Sequence, residues 1–277
     1  MGESYICSNT CPACGSADRK IIAQWSDWVA AAQSRPDGAM RLEAAKQSGV
    51  AETAPNFHEC LNCKSVAIFP LPTEAQLSSF YQNYHAVDAF LAKADKKVKR
   101  ARRRIRALSL LTPGRRFLDV GASIGAAAEG ARQLGFTATA IEIDEQAVEH
   151  GRRLYPKVDF HTGGFEALAT DAVFDVLYMA EIIEHVTNPK RLIQQAKEKT
   201  APGGIVFLTT PDAGHVRRPV NLMDWKSVKP PEHITLFTTK GLRALFSECG
   251  FSKVFFWPHA KPGVRLVAWR GASSADA

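Results

Sequence analysis

The chain has 277 residues, 45% hydrophobic and 23% charged, with a formal net charge of +7, enough for one sizeable core and a smaller module beside it. It contains no run of about 18 apolar residues, which excludes a membrane-spanning helix. The N-terminus lacks the basic-then-apolar plan of a secretory signal, so a cytoplasmic location is expected. Six cysteines in such a chain point to metal ligands or core positions rather than disulfides.

Four of the cysteines form two knuckles, Cys11-Pro-Ala-Cys14 and Cys60-Leu-Asn-Cys63. Each places two thiolates on one tight turn, and two such turns complete a closed tetrahedral zinc site with a structural role. A redox CxxC needs only one pair and a neighbouring βαβ unit, which this region lacks. Cys7 is near enough to be a rival ligand, and Cys249 falls in an apolar helix as a core residue. Between the knuckles, Trp25–Gln33 and Ala39–Gln47 read as helices joined by the turn Pro36-Asp37-Gly38. That insertion is either a lid over a substrate or packing around the ribbon.

Val66–Phe69 reads as a short strand ended by Pro70-Leu71-Pro72. Thr73 and Gln76 form a capping box for a helix with the apolar stripe Leu77, Phe80, Tyr81 and Tyr84. Residues 93–116 carry eleven Lys/Arg and one acid, Asp95. A basic helix can be a nucleic-acid footprint. Here Val98, Ala101, Ile105 and Leu108 recur at helical spacing, which favours a core-facing stripe with solvated arginines behind it. No aromatic residue interleaves the run for base stacking.

Phe117-Leu118-Asp119-Val120 reads as a buried strand, and Gly121, Ser123 and Gly125 turn the chain into an alanine-rich helix over Ala126–Leu134. Such a turn lets the backbone approach a ligand and aims helix N–H groups at it. It is neither G-x-G-x-x-G, because residue 123 is Ser, nor a phosphate loop. Thr137–Ile143 is a second strand ending in Glu142, with Asp144 close behind. An acid about 20 residues past the first glycine is where a ribose diol is gripped in a nucleoside crevice. A helix over Asp144–Tyr155 and strands at Val158–Phe160, Phe174–Met179 and Ile205–Thr209 follow, with a further helix from Lys190. This alternation predicts a parallel sheet with helices on both faces. Lys253–Trp257 and Val264–Trp269 pair as an antiparallel edge, and Gly271–Ala277 is a frayed tail.

With the glycine turn and the acid-tipped strand in place, the chain resembles a class I S-adenosylmethionine (SAM)-dependent methyltransferase. The resemblance runs to about residue 257. It implies an α/β, Rossmann-like seven-stranded sheet over residues 113–277, a helical linker over 73–112 and a zinc-binding ribbon with a helical insertion over 1–72. It also implies that Asp119, Gly121, Ser123 and Gly125 wrap the methionine end of SAM. Glu142, with Ile143, would take the ribose; Gly164 and Phe165 the adenine; Ala180 and Glu181 the region of the methyl group. The knuckles, Pro70-Leu71-Pro72, Tyr81-x-x-Tyr84 and Pro230-Pro231-Glu232-His233 with Leu236-Phe237-Thr238 resemble a subgroup carrying an N-terminal zinc ribbon. Its members act on sugar nucleotides, surface polysaccharides and secondary metabolites.

Glu181-x-x-Glu184-His185 stands just past the fourth strand, where ligands lie in open α/β sheets. His185 is expected as general base, oriented by Glu184, with His233 as second candidate and Tyr84 as third. Glu181, Glu184 and His185 with a later His also resemble the metal site of small-RNA 3′-end ribose methyltransferases, and similar residues occur in ubiquinone-pathway O-methyltransferases. Arg217, Arg218, Trp225 and Lys226 in loop 211–229 are expected to touch the substrate. The reading these features favour is methyl transfer to a small anionic metabolite. Its alternatives are an RNA ribose 2′-O-methyltransferase and a zinc-ribbon binding module without activity. The acceptor atom stays open among O, N and C.

Overall fold

The computed structural model of the chain describes residues 9–83, 92–258 and 260–271. Cys7, Tyr84 and residues 272–277 of the expected tail lie outside them. Among the described residues, no helix is long and apolar enough to cross a membrane.

The larger sheet has seven strands, built as the parallel array predicts. β4 (Arg116–Val120), β5 (Thr137–Glu142), β6 (Asp159–Thr162), β7 (Phe174–Ala180) and β8 (Thr200–Pro211) are parallel, and β10 (Lys253–Phe256) and β11 (Gly263–Trp269) add an antiparallel edge. The order across the sheet is β10-β11-β8-β7-β4-β5-β6. Its central strands are near-continuous apolar runs because helices cover both faces; Phe117, Leu118, Val176, Leu177, Met179, Val206 and Leu208 are almost wholly enclosed. β8 runs past the expected Thr209 because β11 pairs with it as far as Gly263 opposite Pro211, and it starts before Ile205 with Thr200 opposite Phe174 of β7.

A second, antiparallel sheet has the order β1-β2-β3-β9, from β1 (Arg19–Ala23), β2 (Asn56–Cys60), β3 (Val66–Phe69) and β9 (Thr235–Leu236). β1 and β2 escape a sequence reading because Arg-Lys-Ile-Ile-Ala and Asn-Phe-His-Glu-Cys are short, half-polar segments; they become strands by pairing with each other and with β3. β9 comes from far along the chain, after β8, and completes this sheet on β3.

The helices of the insertion are α1 (Trp25–Gln33), α2 (Gly38–Gln47) and the short α3 (Val50–Thr53). Their apolar faces pack on β2 and β3 and on the loop after β8 through Trp28, Ala45, Phe57, Met223, Trp225 and Leu236. α4 (Glu74–Asn83) begins at the expected capping box: Thr73 N donates to Gln76 Oε1 at 2.9 Å, and Gln76 N donates to Thr73 Oγ1 at 3.2 Å. In α5 (Ala94–Leu108) the predicted stripe of Val98, Ala101, Ile105 and Leu108 is buried, and the flanking Arg100, Arg102, Arg103 and Arg106 face solvent. Remaining helices are α6 (Ala126–Arg132), α7 (Glu145–Leu154), α8 (Pro189–Lys199) and α9 (Thr239–Glu248). The cysteine knuckles share a core with Phe237, Leu242, Leu245 and Phe246, so the N-terminal sheet is packed into the molecule.

Phe117 is fully enclosed and its ring lies 5.9 Å from both Phe136 and Tyr178. Phe117→Ala should cost about 3–5 kcal/mol of stability, read as a lowered urea midpoint with an unchanged slope.

Candidate active site

The first half of the site lies along the carboxyl edge of β4, β5 and β6. After β4 the chain takes three left-handed residues within five positions: Gly121 (φ 66°), Ser123 (φ 50°) and Gly125 (φ 78°). The two glycines are fixed by space as well as by dihedral angle. A Cβ at Gly121 would stand 2.6 Å from Ile182 Cδ1, and one at Gly125 would stand 2.3 Å from the Phe160 ring. Asp119, buried at the end of β4, accepts the Ala128 N–H at 3.0 Å and so ties the strand to α6. Burial pushes its carboxyl up to about 7.

Glu142 closes the turn from the neighbouring strand. Its Oε2 accepts the Ser123 N–H at 2.7 Å, and its Oε1 accepts the N–H groups of Ile143 at 2.8 Å and Asp144 at 3.1 Å. Burial raises its carboxyl nonetheless. The Ile143 side chain is 70% exposed at this edge, an apolar surface with nothing packed over it. After β6, Gly164 N donates to Glu166 Oε1 at 2.7 Å, and Phe165 begins a 3₁₀ turn with its ring in the core. Lys97 of α5 interacts electrostatically with Asp119, and burial lowers its ammonium to about 8. Nothing in the sequence singled Lys97 out, because it stands within a run of basic residues.

The second half begins at Ala180, the last residue of β7. Glu181 follows with φ +58°, its N–H on the Thr209 carbonyl at 2.8 Å and its Oε1 accepting the Thr209 hydroxyl at 2.8 Å. Ile183–His185 then form a 3₁₀ turn. Glu184, His185 and His233 converge there: one carboxylate oxygen and one ring nitrogen from each imidazole lie within 4.8 Å of one another. Glu181 is beside this trio and not part of it.

Glu184 is completely buried. Its Oε2 accepts the Thr210 hydroxyl at 2.9 Å, while Oε1 has no hydrogen-bond partner. Burial, reinforced by Glu181, pushes its carboxyl well above the usual range. His185 Nε2 lies 3.9 Å from that free Oε1, and its Nδ1 lies 2.9 Å from the Tyr81 hydroxyl. His233 Nδ1 lies 2.8 Å from the Ser227 carbonyl. A carbonyl only accepts, so Nδ1 carries the proton and Nε2 the lone pair. The rings meet edge to face at 4.7 Å. Burial lowers His185 to about 4, and burial together with the neighbouring His185 takes His233 well below its ordinary value.

The insertion holds this cluster from outside. Arg41 of α2, almost wholly buried, pairs with Glu232 at 2.5 Å and Asp37 at 2.8 Å. Arg35 donates to the Met223 carbonyl at 2.6 Å and to those of Trp225 and Val228. Tyr81 has the spacing of one more member of a helical stripe, which hides its polar role from a sequence reading. Tyr84, the expected third candidate, is outside the described residues.

The four-cysteine cluster lies apart from the histidines. Cys11 and Cys63 sulfurs are 3.6 Å apart, as are Cys14 and Cys60, and all four lie within 4.8 Å of one another. Each knuckle closes with a backbone bond of 2.9 Å, Gly15 N to the Cys11 carbonyl and Lys64 N to the Cys60 carbonyl. Gly15 and Lys64 both adopt left-handed conformations. Hydrogen bonding from Cys11 holds the Cys63 thiol down to about 5, and the same contact pushes Cys11 up.

The carboxyl-edge crevice and the acid-tipped second strand define a Rossmann-like methyltransferase fold. A family model described as a methyltransferase domain matches residues 89–254, and the chain belongs to that family. A ubiquinone biosynthesis O-methyltransferase of Azoarcus sp. (strain BH72) is 36% identical over 103 residues, 35% of this chain and 44% of the relative. One from Caulobacter sp. (strain K31) is 28% identical over 144 residues, 45% of this chain and 57% of the relative. The chain thus spans about half the length of these relatives. Human N-acetylserotonin methyltransferase in complex with SAM shares the fold, with a TM-score of 0.50 at 17% identity, over 72% of this chain and 57% of that one.

Asp119 supplies a pH test. Its folded value of about 7 exceeds the ordinary 3.8, so the native state holds a proton that the unfolded state has lost. Stability from this group is therefore full below about pH 4 and falls as pH rises through 7. In the ligand-free protein, Asp119→Asn should remove that slope. Urea midpoints at pH 5 and pH 8 that move in parallel for both proteins would contradict it.

Proposed function

We propose that the chain transfers the SAM methyl group to a hydroxyl of a small anionic metabolite, with His233 accepting the hydroxyl proton. The observation that carries this reading is the buried trio of Glu184, His185 and His233, in which the His233 lone pair is on Nε2 and one Glu184 oxygen is unpartnered. When SAM is bound it supplies the electrophile, so the chain must hold the nucleophile in line and take its proton. An imidazole that is neutral when substrate arrives suits that task. Glu184 lies within 4.8 Å of the imidazolium so formed. Asp119, Gly121, Ser123 and Gly125 hold the methionine end of the cofactor, Glu142 and Ile143 the ribose, Gly164 and Phe165 the adenine, and Ala180 and Glu181 flank the methyl group. Lys229 and Arg41 act as positive charges on His233, while at His185 the opposing Glu232 outweighs each of them; the charge on the His233 side supports an anionic acceptor. The ubiquinone-pathway relatives support oxygen as the methylated atom.

With tritiated-methyl SAM and a metabolite extract as the probe, His233→Ala should lower label transfer by roughly 10²–10⁴ and leave cofactor affinity intact. Burial holds both imidazoles low, so turnover should not fall near an ordinary histidine value as the pH drops from about 8 to 6. Full activity in His233→Ala would overturn the reading. Glu142→Ala should weaken SAM binding by about 1.5–3 kcal/mol in calorimetry.

The same trio supports a second reading, ligation of a divalent cation. Both imidazoles have the outer Nδ1 engaged, by Tyr81 and by Ser227, as oriented metal-ligating histidines do. A bound cation would lower the pKa of the acceptor hydroxyl as a Lewis acid. Transfer that stops with a chelator and returns with a divalent ion would favour this reading over an unassisted base.

The four cysteines hold one zinc ion in this proposal, which puts the chain in the zinc-ribbon subgroup. The mutual sulfur distances support it, since they match the edge of a tetrahedron with metal–sulfur bonds near ~2.3 Å and are far too long for a disulfide. Metal analysis should give about one zinc per chain, and chelation should lower the melting temperature. A freshly purified protein without metal would contradict it.

A further inference from the structure

A short polar chain runs from the second cysteine knuckle toward the histidines. Ser65, buried two residues after Cys63, accepts the Thr238 N–H at 3.1 Å, and its hydroxyl lies 3.4 Å from that of Thr238. Thr238 Oγ1 donates to the Cys63 carbonyl at 2.6 Å and accepts the Gly241 N–H at 3.0 Å, capping α9. Gly241 makes the contact tight: a Cβ there would stand 2.4 Å from Ser65 Oγ and 3.4 Å from Cys63 Sγ.

His233 stands five residues before Thr238, just ahead of the two-residue β9. Its neighbour Ile234 is gripped on both sides, its carbonyl accepting Ile68 N–H at 3.1 Å and its N–H donating to the Glu184 carbonyl at 2.9 Å. β9 pairs with Val66 and Ala67, directly after Ser65. The backbone carrying His233 is thus suspended between the 3₁₀ turn of Glu184 and the knuckle. A two-residue strand has little ladder of its own to hold its register.

We propose that Ser65 and Thr238 are positioning residues through which the cysteine knuckle sets the place of His233 opposite Glu184 and His185. The inference rests on the proposed site at His233. Removing either hydroxyl leaves a buried polar partner unmatched and frees β9 to shift on β3. A displacement of ~0.5 Å is enough to spoil a reacting geometry. The cofactor half, built on β4, β5 and β6, shares none of these contacts.

The test uses the full chain, loaded with zinc and labelled with ¹⁵N-histidine, its ring resonances assigned with His233→Gln. Ser65→Ala and Thr238→Val should shift the His233 ring signals and weaken its Nδ1–H signature, and Thr238→Ser should restore them. Zinc content should stay the same, and affinity for S-adenosylhomocysteine should hold within about twofold. In the His233→Ala background, Ser65→Ala should lower methyl transfer no further. Unmoved His233 signals in both Ser65→Ala and Thr238→Val would overturn the proposal, as would shifts accompanied by loss of zinc or of cofactor binding. Failure of the underlying site reading is separate: it appears as undiminished transfer in His233→Ala, a measurement independent of the ring signals.

Discussion

Glu184 is withdrawn completely from water at the carboxyl end of β7, and removing a carboxylate from water without a full set of partners is expensive. The surroundings meet that demand incompletely. Thr210 satisfies one oxygen, while the other faces only the two imidazoles. Burial favours the protonated acid on Glu184 and the neutral base on both histidines, so the pocket rests with little net charge. A pocket of this kind needs walls that do not yield, and its walls come from four separate parts of the chain: β7, the end of β8, α4 through Tyr81 and the segment leading into β9.

The two halves of the site therefore depend on different physics. The cofactor half is local. Asp119, the glycine turn and Glu142 lie within 24 residues of chain, and two adjacent parallel strands fix their spacing as soon as they pair. The acceptor half is assembled from contacts across long stretches of chain, such as Arg41 with Glu232 and Tyr81 with His185. Loop closure makes such contacts costly to form. The insertion and the cysteine knuckles bear on this second half, which gives them a reason to be embedded in the core rather than attached at its rim.

The same division explains what could be read from the sequence. The glycine turn, the acid-tipped β5 and the alternation of strand and helix carry their geometry in their spacing, and so do the two CxxC turns. The stripe of α5 separated core from solvent correctly because a 3.6-residue period identifies a buried face without outside help. By contrast, β1, β2 and β9 are strands only by virtue of their partners. Tyr81 has the spacing of a core residue and a hydrogen bond that no spacing records. Glu181 looked equivalent to Glu184 in the motif, yet its left-handed backbone turns it to Thr209 and away from the histidines. The insertion, open between lid and packing in the sequence, packs on β2, β3 and the loop after β8, and Arg41 reaches Glu232 beside His233.

Charge is also distributed with a direction. The cofactor edge carries Asp119 and Glu142, both raised by burial, whereas Lys229 and Arg41 act on the histidines. A buried carboxyl is ionised most readily opposite a cation, and the sulfonium of SAM is one while the thioether left after transfer is not. On the proposed cofactor placement, Asp119 at the methionine end would favour the sulfonium over the thioether that the reaction leaves. On the acceptor side, burial and then the neighbouring His185 hold His233 low, and an anionic group close to Lys229 would offset only the smaller part that Lys229 adds. An arriving anionic substrate would then make His233 a somewhat better base, while burial still keeps it neutral until transfer.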